Sequence, residues 1–156
     1  MNRLAHVLMA TALVVSGAAQ GQSNAEIERG RYLVLIGHCN NCHTAEYSAK
    51  QGDVPEREWL MGSRVGWRSA AGTAYPHNLR LYFANLSEDA WLHAARNMRP
   101  RPPMPWWSLR DTTDADLRAM YRYIRSLKPL GEPAPAFVPP DRSPTPPFVQ
   151  LPMPPK

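Results

Sequence analysis

The chain has 156 residues, 44% of them hydrophobic and 20% charged, which suits one small domain with extensions. Its formal charge of +5 is mildly basic. No basic run is interleaved with aromatics, so nucleic acid is excluded as a partner and an acidic protein surface is favoured.

Residues 1–21 have the layout of a secretory signal peptide. Arg3 supplies positive charge, Val7 to Val15 an apolar run, and Ser16-Gly17-Ala18-Ala19-Gln20-Gly21 small residues for cleavage. The run is too short to span a bilayer, and no other segment is long enough. The sequence therefore predicts an exported chain with no transmembrane segment after cleavage.

Ser23-Asn24-Ala25-Glu26 has the S-x-x-E spacing of a capping box and predicts a helix reaching Ile36. Ile27, Tyr32, Val34 and Leu35 supply its apolar groups. Gly30 sits in its middle at a cost of about 1 kcal/mol against alanine. A helix tolerates that only where something must come close to its backbone. Gly37 ends the helix.

Cys39-Asn40-Asn41-Cys42-His43 follows at once. C-x-x-C-H is the attachment spacing for c-type haem. Two cysteines three positions apart on a tight helical turn can each form a thioether with one haem vinyl group, and the next residue points a ring nitrogen at the iron. A thioredoxin-like site needs a βαβ setting that these flanks lack. A structural zinc site needs four ligands, and no second paired motif supplies them. A disulfide across so short a loop is geometrically poor and leaves His43 unexplained. One motif implies one haem.

Between Thr44 and Ser63 the chain is mixed. Residues 62–81, with Gly62, Gly66, Gly72 and Pro76, are expected to be a loop with little regular structure. Ser87, followed by Glu88 and Asp89, opens a second helix. Trp91, Leu92, Ala95 and Met98 form its apolar face. Arg99-Pro100-Arg101-Pro102-Pro103-Met104-Pro105 cannot be helical and predicts a stiff, extended loop. A third helix starts after Thr112 or Thr113, with Leu117, Met120, Tyr121, Ile124 and Leu127 at helical spacing. Most of the chain's 17 prolines come from Pro129 onward. Residues 131–156 are therefore expected to be an extended tail. Its apolar residues, among them Phe137, Val138, Phe148 and Val149, suit a tail that lies on the domain.

His43 fills one axial position. Met104 is the candidate for the other, because prolines on both sides hold its backbone extended and aim its thioether. Such a ligand raises the potential relative to two histidines. His77, in the glycine-rich loop, is the alternative. His38 adjoins Cys39 on the near side, His93 falls off the apolar face of its helix, and Met61, Met98 and Met120 suit core filling.

Several stretches together resemble the class I cytochromes c. The resemblance is closer to the single-haem domains associated with bacterial periplasmic dehydrogenases, including alcohol dehydrogenase cytochrome subunits. They are Arg29-Gly30-Arg31-Tyr32-Leu33, Cys39 to Thr44, Gly72-Thr73-Ala74-Tyr75 with Asn78, Pro103-Met104-Pro105-Trp106, and Asp116 to Ile124. The resemblance implies an all-α fold over residues 22–130, with crossing N- and C-terminal helices around one haem, and an extended proline-rich tail after it. It implies that Gly30 admits the last helix, that His43 and Met104 bind the iron, and that Asn78 lies near the haem propionates. One departure stands out: where the family often has N-I-T-P-D, this chain reads Asn78-Leu79-Arg80-Leu81-Tyr82.

The expected function is electron transport rather than enzymatic turnover, by a periplasmic one-electron carrier with a single covalent haem c. Its donor would be a periplasmic dehydrogenase or other redox protein, and its acceptor a terminal oxidase or second cytochrome. The competing classes are a haem subunit or sensor with an open or His/His iron site, and a recruitment module acting through the tail.

Overall fold

The computed structural model describes residues 24–152. The predicted signal peptide over 1–21, the predicted cap Ser23 and the last four residues lie outside that span. Among the described residues there are six helices and a small three-stranded sheet. The first helix, α1, occupies 24–36, and α2 is Cys39–His43. Between them the chain bends at Gly37 and at His38, whose φ of 54° is left-handed. Then come α3 (Leu79–Ala84), α4 (Glu88–Asn97), α5 (Trp106–Asp111) and α6 (Asp114–Ser126).

The core forms where α1, α4 and α6 meet. Leu117, Ala119, Met120, Tyr123 and Ile124 of α6 are buried, with Val34 of α1 and Trp91 and Ala95 of α4. The indole of Trp91 donates to the Leu117 carbonyl at 2.9 Å, so its one polar atom is satisfied inside. At the crossing of α1 and α6, a Cβ built on Gly30 would lie 2.0 Å from the Ala119 carbonyl oxygen and 2.7 Å from Tyr123 Cβ. The two backbones touch there, which is why glycine is needed. Polar groups seal the rim of the crossing. Arg31 pairs with Glu56, which also accepts the Tyr123 hydroxyl at 2.7 Å, and Arg29 pairs with Asp116 at 2.9 Å.

Ser87 caps α4 through its hydroxyl, as expected, and of the two candidate threonines it is Thr113 that caps α6. Arg118 and Arg122 are not simply solvated, because both reach Glu88 of α4. Burial pushes the Glu88 carboxyl up, but the two guanidiniums outweigh it and hold the group below its usual range.

Two expectations need correction. The stretch 62–81 is not an irregular loop, and the fold is not purely helical. Strand β1 (Gly66–Ser69) pairs antiparallel with β2 (Gly72–Ala74), with Trp67 opposite Ala74 and Arg68 opposite Thr73. Strand β3 (Phe148–Gln150), from the tail, adds in parallel on the other side of β1, with Trp67 opposite Val149. The glycines that suggested a loop are the hairpin's punctuation, and a short edge strand tolerates flanking prolines. The segment Leu79–Ala84 then forms α3, capped by Asn78. Helix α5 also lies in a stretch for which no helix was expected.

Arg80 explains the departure from the family's sequence. It is buried, with 6% exposure, and its guanidinium donates to the carbonyls of Lys128 at 2.6 Å, Arg57 at 2.8 Å and Leu127. Leu127 and Lys128 follow α6, whose final carbonyls need donors. Arg80→Met would keep the volume and leave these acceptors unpaired. The thermal or urea midpoint should then report a loss of about 2–3 kcal/mol, the scale for hydrogen bonds to a charged group.

Candidate haem site

The site is built from α2 and two segments brought to it from further along the chain. Cys39 and Cys42 are free, half-buried thiols one helical turn apart. Burial pushes the Cys39 thiol up to about 11, and it raises Cys42 as well. Both are therefore protonated at neutral pH, unlike the activated thiolate of a cysteine nucleophile. Between them Asn40 is 1% exposed, and its side-chain Oδ1 accepts from the Thr44 hydroxyl at 2.7 Å. That hydroxyl in turn accepts from the Leu60 amide at 2.8 Å. Asn40 Nδ2 has no partner among the described residues.

His43 Nδ1 lies 2.8 Å from the carbonyl oxygen of His77. A carbonyl only accepts, so Nδ1 carries the proton and Nε2 keeps its lone pair. Burial lowers the imidazole's proton affinity, the His77 carbonyl partly opposing it. A neutral ring with Nε2 free is the form that binds a metal, and the carbonyl behind it fixes its orientation.

Gly62 makes this approach possible. Its amide donates to the His43 carbonyl at 2.7 Å. Its φ is +84°, and a Cβ there would meet the Asn78 amide at 2.8 Å and the Pro76 carbonyl at 2.9 Å. Segment 76–78 thus lies directly against Gly62, which is held against His43. No side-chain pattern marks a backbone carbonyl as a partner, so His77 was legible only as a side chain.

Asn78 is buried, and its amide group is fully engaged. Its oxygen accepts from the Leu81 amide at 3.1 Å, while Nδ2 donates to the carbonyls of Leu130 at 2.8 Å and Glu132 at 3.2 Å. A propionate would have to displace one of these. Met104 is half-buried on the loop between α4 and α5. Its amide donates to the Arg101 carbonyl at 3.3 Å, closing a turn, and its own carbonyl accepts from Trp106, the first residue of α5. The rival methionines are occupied. Met120 is in the core, Met98 packs against it, and Met61 faces Gly131 at the start of the tail. Among the tryptophans, Trp59 and Trp91 are core residues, Trp106 lies beneath Arg99, and Trp107 is exposed.

The donor set fits haem c. Two protonated thiols flank one turn, and a neutral imidazole is braced from behind with its metal-binding nitrogen free. The cytochrome c family model matches residues 27–128, which include Cys39, Cys42, His43, His77, Asn78 and Met104. The chain belongs to the cytochrome c family.

Membership carries covalently bound haem c and electron transfer with it. The chain is 30% identical to a nicotinate dehydrogenase subunit of Pseudomonas putida over 132 residues, covering 73% of this chain and 10% of that one. It is 28% identical to the cytochrome c subunit of the quinone alcohol dehydrogenase of Gluconacetobacter polyoxogenes, covering 85% and 30%. Against the fructose dehydrogenase cytochrome subunit of Gluconobacter japonicus the figures are 26%, 70% and 23%. This cytochrome c thus spans less than a third of the length of these relatives. No solved structure matches it. No described helix is long and apolar enough to cross a membrane.

Proposed function

We propose that the protein is a periplasmic one-electron carrier whose haem is held by Cys39 and Cys42 and ligated by His43 and Met104. The observation that carries this reading is the 2.8 Å contact between His43 Nδ1 and the His77 carbonyl, which presents Nε2 as a ligand. Haem c supplies the cycling of iron between its ferric and ferrous states. Cys39 and Cys42 would tether the group through thioethers, and the helical turn from Cys39 to His43 would present the imidazole to its iron. The His77 carbonyl keeps the ring from turning, so the ligand stays put when the charge changes. His77 itself stands behind His43, which argues against its side chain as the opposite ligand. The Met104 turn, stiffened by Pro102, Pro103 and Pro105, presents a thioether with little freedom to lose.

Asn78 is assigned to the haem surroundings through its neighbour His77, whose carbonyl it helps to place, and not through a free donor of its own. Arg99 and Arg101 pair with no carboxylate among the described ion pairs and flank the Met104 loop. They offer an acidic partner a docking face. The names of the relatives suggest a dehydrogenase as donor. The acceptor in this reading is a second cytochrome or terminal oxidase. Spectroelectrochemical titration of the purified protein should give a single reversible one-electron wave, with a low-spin spectrum in both states. A high-spin ferrous form that takes up carbon monoxide on mixing would support the open-site reading instead.

A further inference from the structure

The proline-rich tail touches both sides of this site. Just after α6, the carbonyls of Leu130 and Glu132 are gripped by the Asn78 amide, one residue from the carbonyl that braces His43. Pro133 and Ala134 then run along an open groove of about 310 Å³ shared with His77, Leu81 and Tyr82. At Phe137 the tail reaches the other segment. The Arg101 guanidinium lies 3.8 Å from the centroid of the Phe137 ring. Arg101 is the residue whose carbonyl accepts from the Met104 amide, so it is the first corner of the turn that carries Met104.

Phe137 is not a loose contact. Its ring packs on the backbone of Gly72. The next residue, Val138, exchanges two hydrogen bonds with Thr73, at 2.7 and 3.0 Å. Arg68 of β1 donates to the carbonyls of Pro140 at 3.2 Å and Arg142 at 2.8 Å. The ring is therefore fixed to the β1–β2 hairpin and offers Arg101 a stationary surface. On the other side of the loop, Arg99 stacks 4.2 Å from the centroid of Trp106. The Met104 turn is thus braced from both ends by an arginine over an aromatic ring.

We propose that residues 130–138 are a strap. Anchored at Asn78 and Thr73, it holds the Met104 turn in place through Phe137 and Arg101, and so governs how readily the methionine side of the haem opens to an outside ligand. The proposal rests on the Met104 ligation argued above. It goes further by giving the tail a function in which proline helps, because a stiff segment transmits its anchorage to Phe137 without slack.

The test is the affinity of the full ferric protein for imidazole, which competes with the methionine. Phe137→Ala should raise that affinity roughly two- to fivefold, the scale expected when a solvent-exposed cation–ring contact is lost. Phe137→Tyr keeps the ring and should restore the wild-type value. Arg101→Gln should match Phe137→Ala, and the double variant should go no further than either single one, because both act through one contact. Phe148→Ala, at an exposed tail residue in β3, should change nothing. Wild-type affinity in both Phe137→Ala and Arg101→Gln, with the sulfur-to-iron absorption band intact, overturns the strap and leaves Met104 as the ligand. If the wild-type protein itself lacks that band and binds imidazole without resistance, Met104 is not the ligand and the strap falls with it.

Discussion

Gly30→Ala should cost the protein a large part of its stability. Judged locally, the change ought to help, because alanine in the middle of a helix is favoured over glycine by about 1 kcal/mol. Tertiary contact reverses the sign. The added methyl would sit 2.0 Å from the Ala119 carbonyl oxygen and 2.6 Å from the carbonyl carbon. These are backbone atoms in the middle of α6, so no side chain can swing aside. The two helices must separate by an ångström or more, which loosens Val34, Met120, Tyr123 and Ile124 together and strains the Arg29–Asp116 and Arg31–Glu56 pairs. Overpacking a well-filled core typically costs 1–3 kcal/mol, and a rigid backbone clash belongs at or above the top of that range, about 3 kcal/mol or more. Against a total of about 5–15 kcal/mol, the urea midpoint should collapse and the yield of haem-loaded protein should fall. A midpoint unchanged or raised would show that α1 and α6 do not touch at this residue.

Met104→Ala should leave the protein folded and coloured but lower its reduction potential by on the order of 0.2 V, within the span that axial ligands control. The loop it sits on is exposed at Arg101, Pro102 and Pro103, and the Met104 side chain is absent from the hydrophobic core. Removing it therefore takes little from folding. What it takes is a soft sulfur donor that favours ferrous iron. With that side open, carbon monoxide should bind the ferrous variant and not the wild-type protein. Met98→Leu serves as the control. Met98 packs on the core, so its replacement should shift the melting temperature slightly and the potential not at all. If Met98→Leu moved the potential and Met104→Ala did not, the ligand assignment would pass to Met98.

The parts of this molecule that local chemistry determines could be read from the sequence. The Ser87 and Thr113 caps, the apolar periodicity of α4 and α6, and the Cys39-to-His43 spacing each express a rule that operates within a few residues. Gly30 was legible as a demand for close approach, although only the structure supplied Ala119 and Tyr123 as what approaches. The features that were missed depend on distant backbone. The β1–β2 hairpin hid behind its own glycines. β3 exists because Arg68 and β1 receive it, and the prolines that flank it speak against any strand when read alone. Helix α5 is too short for its periodicity to show. The His77 carbonyl and the Leu130 and Glu132 carbonyls belong to no residue type, so the brace behind His43 and the clamp on Asn78 had no signal to read. Arg80 was visible as a departure from its family, but its purpose appears only where α6 ends beside it.

The proposed ligation requires that sulfur from Met104 reach the iron that His43 also binds. The weak far-red absorption that a thioether gives to ferric low-spin haem reports this directly. It should be present in the purified oxidised protein at neutral pH and missing from Met104→Ala. An oxidised wild-type protein that carries haem on both cysteines yet shows no such band would contradict the proposed ligation.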